Sequence, residues 1–371
     1  MIHKQRHVVI GLLGAALLCT PALGWGDEPE IRGIKLSQWQ EMLRQDPDAK
    51  RRRVAIIALS LIGPEKPTVV PSIMTALRKD ADATIRAFAA QTLGQMGGKA
   101  KEALEPLVDA LQNDQDGGVR QAAAAALGRL GPHAKPAVNV LAKALQDSHA
   151  PVRASAAEAL GELELDARAA VPALIAVLAD EDKITRVYAI LALGRMAPAA
   201  KAAIPRLGEL LINDPAAEVR RAAVDALYLF GPDAGAVVES LSLALELKDE
   251  KYLEVRRKAV IVLGRVGPDA VAALPRLRSA LKDPDRFVRG QALVTIGGLG
   301  KEAAPAVPEM IACLDDAVLE VRLAAIEQLG ALGPLAKAAI PKIEQARNSG
   351  RETIREAAQI ALEKIQGKTP E

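Results

Sequence analysis

The sequence predicts an all-α protein, an α-solenoid built from about ten helix-pair repeats. Three observations carry that expectation. Arg52, Arg86, Arg120, Arg153, Arg186, Arg220, Arg256, Arg289, Arg322 and Arg355 recur at intervals of 34, 34, 33, 33, 34, 36, 33, 33 and 33 residues, a phasing that accident does not produce. Three residues after every one stands an alanine, and seven after stands a leucine, with Ile296 the one substitute. With the apolar residue that precedes the arginine, as in Val119, Ala123, Leu127 and Leu130, these make steps of four, four and three, a helical rather than a strand period. Each such helix then meets a stop signal, as at Gly63-Pro64, Gly131-Pro132, Gly231-Pro232, Gly267-Pro268 and Gly333-Pro334.

The elements follow in chain order. Residues 1–24 read as a secretory signal: Lys4 and Arg6 precede an apolar stretch from Val8 to Leu18, and Ala22-Leu23-Gly24 offers a small-residue cleavage site. The stretch is shorter than the roughly 20 apolar residues that cross a bilayer, so the mature chain is expected to carry no membrane span and to be exported, periplasmic or secreted. Leu18 is bulkier than the residue a lipoprotein signal places before its cysteine, which speaks against lipid attachment at Cys19. Residues 25–45 are expected to form a capping segment, with Leu36, Trp39 and Leu43 on one side of a lone helix that covers the first full repeat. Residues 46–366 hold the repeats, the last helix from Arg351 to Gln366 presenting a polar outer face, and 367–371 form a tail.

Within a repeat, the arginine-bearing first helix carries glycine eight residues after the arginine, as in Gly94, Gly128, Gly161, Gly194, Gly264, Gly297 and Gly330. Mid-helix glycine costs about 1 kcal/mol against alanine, so its recurrence implies a neighbouring helix too close for a side chain. The second helix is often opened by proline (Pro71, Pro172, Pro205, Pro275, Pro308, Pro341), where the missing N–H is no loss.

Composition agrees with this plan. Of 371 residues 50% are hydrophobic and only 2% aromatic, which implies a core of Ala, Leu and Val and excludes intrinsic disorder. Without residues 1–24 the 48 basic residues lose two and balance the 46 acids, and a neutral surface speaks against broad binding of nucleic acid or anionic lipid. Cys313 is then the one remaining thiol, so no intramolecular disulfide is expected.

The pattern VRxxAAxALGxLG followed by PxLxxALxD, plain from Val119-Arg120 to Gly131 and from Val219-Arg220 to Gly231, resembles the HEAT repeat, in a short form similar to the bilin-lyase-type repeats of bacteria. The resemblance implies helix pairs stacked into a curved superhelix with the second helices on the concave side. It also implies a non-catalytic scaffold that binds a macromolecular partner, a protein, along that face. Two alternatives stand beside it: a bilin-lyase-like enzyme that binds a tetrapyrrole, and a solenoid that binds nucleic acid. The paired His-Glu motifs of HEAT hydroxylases are absent from this sequence.

Candidate chemistry is sparse. An acid stands six residues before nine of the arginines (Asp46, Asp80, Asp114, Asp147, Asp180, Asp214, Glu250, Asp283, Asp316), which predicts an edge ladder in which neighbouring repeats share arginines while the acid accepts from the next helix's amides. His133 and His149 flank one second helix, too far apart for one metal. Cys313 falls at a core position, and Gly297-Gly298-Leu299-Gly300 is a repeat end without the preceding strand a phosphate loop needs. No catalytic residue, metal site or cofactor is therefore expected. The aromatics Phe88, Tyr188, Tyr228, Phe230 and Phe287 sit in first helices and are expected to pack rather than bind. One irregularity stands out: the repeat between Arg220 and Arg256 is 36 residues long, Tyr228 replaces the mid-helix glycine, and Tyr252 lies in the lengthened turn. Arg206, Glu209, Tyr252, Arg276, Arg278 and Lys282 are therefore the candidate partner-binding residues, a modestly basic patch on and beside second helices.

Overall fold

A computed structural model describes residues 28–367 apart from 248, 250 and 251. The expected signal segment, residues 368–371 and Glu250 of the acid series lie outside the described residues. The chain enters through a small hairpin, β1 (Glu30–Ile31) and β2 (Ile34–Lys35), whose turn residues Arg32 and Gly33 have φ of 56° and 75° as a two-residue hairpin turn requires. α1 (Leu36–Gln45) follows directly and buries Leu36, Trp39 and Leu43 against the first repeat.

Among the described residues there are ten first helices: α2 (Ala49–Ile62), α4 (Ala83–Met96), α6 (Gly117–Arg129), α8 (Ala150–Glu162), α10 (Lys183–Arg195), α12 (Ala217–Phe230), α14 (Leu253–Val266), α16 (Arg286–Gly298), α18 (Leu319–Ala331) and α20 (Glu352–Gln366). Nine second helices alternate with them: α3 (Val69–Lys79), α5 (Leu104–Asn113), α7 (Val138–Ala144), α9 (Val171–Ala176), α11 (Ile204–Asn213), α13 (Val238–Ala244), α15 (Leu274–Ala280), α17 (Val307–Ala312) and α19 (Ile340–Ala346). The result is the all-α solenoid that the periodicity predicts.

Local chemistry starts and stops these helices. Asp48, Asp82, Asp116, Asp182 and Asp285 cap first helices by accepting backbone N–H bonds. Glycines with positive φ, such as Gly131 at 61° and Gly267 at 76°, turn the chain out of a first helix into a short 3₁₀ segment, and a proline at the second position opens α9, α11, α15, α17 and α19. Leu127, Leu160, Leu193 and their equivalents are fully buried in a continuous seam between the two layers.

The mid-helix glycines do what their recurrence implies. A Cβ built on Gly94 would lie 2.7 Å from Ala126 Cα, on Gly128 2.8 Å from Ala159 Cα, and on Gly330 2.8 Å from Ala361 Cα. Any side chain there would force successive first helices apart. First helices accordingly run against one another over much of their length, whereas successive second helices touch at few points.

The edge ladder is continuous over most of the molecule. Arg120 donates through Nε and Nη2 to both carboxylate oxygens of Asp147, at 2.7 and 2.9 Å, while its Nη1 donates to the Asp114 carbonyl at 2.9 Å. The same fork joins Arg52 to Asp80, Arg86 to Asp114, Arg153 to Asp180, Arg186 to Asp214, Arg256 to Asp283 and Arg289 to Asp316. Each aspartate thus accepts the preceding repeat's guanidinium on its side chain and the next repeat's on its backbone. One detail differs from expectation: the aspartate side chain bonds the N–H two residues on, as Asp80 does with Asp82, and the helix amides are left to the following capping residue. The next acid of the series after Arg220, Glu250, lies outside the described residues. The Arg220 guanidinium stacks 4.5 Å from the Tyr252 ring centroid, and its buried Nε has no hydrogen-bond partner among the described residues.

Two expectations follow. The Arg86, Arg120 and Arg289 guanidinium bonds hold the Asp114, Asp147 and Asp316 carboxyls below their usual range, so their stabilisation is present above the ordinary aspartate pKa of about 3.9 and is lost as pH falls through the folded-state values. Thermal melts should show stability flat near neutrality and falling steadily below about pH 4, and Arg153→Ala, which strands the buried Asp180 carboxylate, should cost about 3 kcal/mol in denaturant titrations. Burial, the larger effect, and Asp316 push the Cys313 thiol up to about 11. It should resist iodoacetamide in the native protein and react promptly in denaturant; rapid native labelling would contradict its core position.

Candidate partner-binding surface

The first helices bury one stripe and expose another. On α2, Val54, Ile57 and Leu61 are exposed; on α10, Ile184 and Leu191; on α12, Leu229; on α16, Phe287 and Val294; on α20, Ile360. All stand at one helical phase relative to the repeat arginine, so they share one face of the first-helix layer, on five of its ten helices. Single exposed apolar side chains need no explanation, but a phased row of them along one layer marks a surface with affinity for apolar groups.

Shallow grooves lie between helices of the same layer. One of ≈ 510 Å³ lies between α4 and α6, lined by Arg53, Thr84, Phe88, Gln121, Ala125 and Arg129; another of ≈ 590 Å³ lies between α18 and α20, lined by Leu323, Glu327, Thr353, Glu356, Ile360 and Lys364. Charge on this face is organised around aromatic rings. The Arg53 guanidinium lies 4.5 Å from the Phe88 centroid, and the Tyr228 ring is held between Arg265 at 4.2 Å and Lys258 at 4.9 Å. Lys258 also pairs with Asp225 at 3.1 Å, and Arg257 reaches Asp285 at 2.6 Å and Glu254 at 2.9 Å while lying 6.0 Å from the Phe287 centroid. The aromatics expected to pack inside are thus divided: Phe230 is buried, whereas Phe88, Tyr188 and Tyr228 are half-buried and Phe287 is exposed on this face.

The second-helix candidates do not form the basic patch expected of them. Arg206 pairs with Glu209 of its own helix at 2.5 Å. Arg276 bonds Glu246 at 3.1 Å and Glu239 at 3.0 Å, and Arg278 bonds Glu309 of the next repeat, whose carboxyl that bond lowers. Lys282 is exposed, but the acids present offset the cations, and α13 separates Arg206 from the others. Tyr252 sits apart, its ring under the Arg220 guanidinium. His133 is exposed in the turn before α7 and His149 lies at the start of α8, and among the described residues no three His, Cys, Asp or Glu side chains converge on a point that could hold a metal. No described helix is long and apolar enough to cross a membrane.

Comparison with known proteins agrees with this architecture. A family model described as HEAT repeats matches residues 36–128, 104–176, 171–242 and 239–307. No curated protein matches the sequence. Among solved structures, the chain is similar to Kap95p in complex with RanGDP (TM-score 0.55, 13% identity, 90% of this chain and 51% of that one). It is also similar to Kap121p bound to Ste12p (0.58, 14%, 89% and 41%) and to a homology model of the full-length AP-3 complex (0.65, 14%, 90% and 68%). The chain spans about half or less of the two Kap proteins, and at these identities the likeness is one of fold. Ten phased repeats, glycine-tight first helices and a family match over most of its length together make the chain a member of the HEAT-repeat family.

Proposed function

We propose that the chain is a non-catalytic scaffold that binds a protein partner along the concave side of its solenoid, and that the first helices line that side. The observation that carries the reading is the phased apolar row from Val54 to Ile360, set among cations held on aromatic faces. A surface of that kind suits extended contact with another polypeptide, many weak contacts summing along a pre-formed shape. The closer approach of successive first helices supports the choice of face, because a stack spaced more tightly in one layer bends toward that layer. This reverses the assignment of second helices to the concave side that the family resemblance implied. Kap121p bound to Ste12p, a solenoid of like fold holding another protein, makes the reading familiar without fixing the partner.

The test is cross-linking with mass spectrometry in the cell envelope, where an exported chain would meet its partner. Cross-links to a protein should fall on the exposed residues of α2, α10, α12 and α16, and Ile57→Glu with Leu61→Glu should weaken capture about tenfold without lowering the melting temperature. Arg276→Glu with Arg278→Glu should leave capture unchanged. Cross-links confined to second helices, or loss of capture by the arginine variant alone, would overturn the assignment of the face. Binding of a tetrapyrrole with a shifted visible spectrum would overturn the scaffold itself.

A further inference from the structure

The one irregular repeat gives the proposed face a distinct chemistry. Where seven other first helices carry a glycine close against the next helix, α12 carries Tyr228, and the equivalent facing position on α14 is the buried Val262. Tyr228 lies half-buried, its ring flanked by Lys258 and Arg265. Beside it Leu229 is 53% exposed, and two first helices on, at the start of α16, Phe287 is 45% exposed. The acids around this ring are already engaged: Glu218 pairs with Lys183 at 2.9 Å, Asp225 with Lys258, and Glu254 and Asp285 with Arg257. Among the described residues, Arg221 and Arg265 have no acid partner, and both project from the exposed stripe that contains Tyr228. Because Arg257 faces two of the four acids, the five cations exceed them by one, a small surplus on a chain that is near neutral as a whole.

Two guanidinium groups without an acid partner among the described residues, a tyrosine ring flanked by cations, and two exposed apolar side chains make a complementary set. Carboxylates are drawn to the guanidinium forks, which can hold them bidentately, while aromatic side chains spaced along the same segment pack on Leu229 at one end and Phe287 at the other. We infer that Arg221, Tyr228, Leu229, Lys258, Arg265 and Phe287 form the specificity site of the scaffold and bind an acidic, aromatic-bearing peptide segment of the partner protein. This inference rests on the first-helix face being the binding face and adds the partner's chemistry to it.

Fluorescence anisotropy on the full chain tests it, with a fluorescein-labelled peptide of repeated Glu-Glu-Phe-Gly units as probe. The peptide should bind, and affinity should fall as salt is raised. Arg221→Glu with Arg265→Glu should weaken binding at least about tenfold with an unchanged melting temperature, since both side chains are exposed. Should that variant misfold, Arg221→Gln with Arg265→Gln keeps the test, with a smaller loss expected. Replacing the probe's glutamates by lysine should abolish binding, replacing its phenylalanine by alanine should weaken it, and Arg276→Glu with Arg278→Glu should leave it intact. No binding of the acidic probe, equal binding of the lysine probe, equal or tighter binding of a single-stranded oligothymidylate, or indifference to the Arg221 and Arg265 changes would each overturn the inference. The two proposals fail separately: partner cross-links on the first helices without probe binding sink only the acidic segment, whereas probe binding with partner cross-links on second helices sinks only the choice of face.

Discussion

A guanidinium held by both oxygens of a carboxylate one repeat away is the interaction on which the rest of the solenoid depends. Helix pairs of this size bury too little to stand alone, so each must be fixed to its neighbours in both rotation and spacing. The rung does this with directional bonds: Arg120 grips Asp147 on one side and its own repeat's turn at Asp114 on the other, so that turn, helix and neighbouring repeat are fixed together. The pair is largely shielded from water, with side-chain exposures of 14% and 13%, and its value lies less in net energy than in admitting one register of stacking.

Spacing is set by a second device on the same helices. Glycine facing alanine, as in Gly94 against Ala126 and Gly128 against Ala159, lets backbones approach to a distance that side chains forbid. The exposed stripe of this layer carries apolar groups at one helical phase on α2, α10, α12, α16 and α20. Where the glycine becomes Tyr228, the Arg220 guanidinium lies over the Tyr252 ring, and Arg221 and Arg265 stand exposed on this first helix and the next. Structural regularity and chemical individuality thus trade places at one junction.

Much of this was legible in the sequence, because a repeated constraint writes itself ten times. The Arg and Asp phasing gave the ladder, and the recurrent glycine gave the close approach. The hairpin around Arg32 and Gly33 left no trace, since strands of two residues are too short for a period to form. The proposed binding face was less legible. A helical stripe tells which residues are buried, not which layer is packed tighter. Arg276 and Arg278 looked like free cations because their acids, Glu246 and Glu309, lie a repeat away in sequence; the offset that links Arg52 to Asp80 would have suggested the partners.

The most direct measurement of the central claim is a double-mutant cycle across one rung, with Arg120→Met, Asp147→Asn and the double variant compared by denaturant unfolding. A favourable coupling of more than about 1 kcal/mol between the two positions is expected if the fork fixes one repeat to the next. A coupling near zero, with the single changes simply additive, would show that packing alone holds the stack and that the rungs are incidental to it.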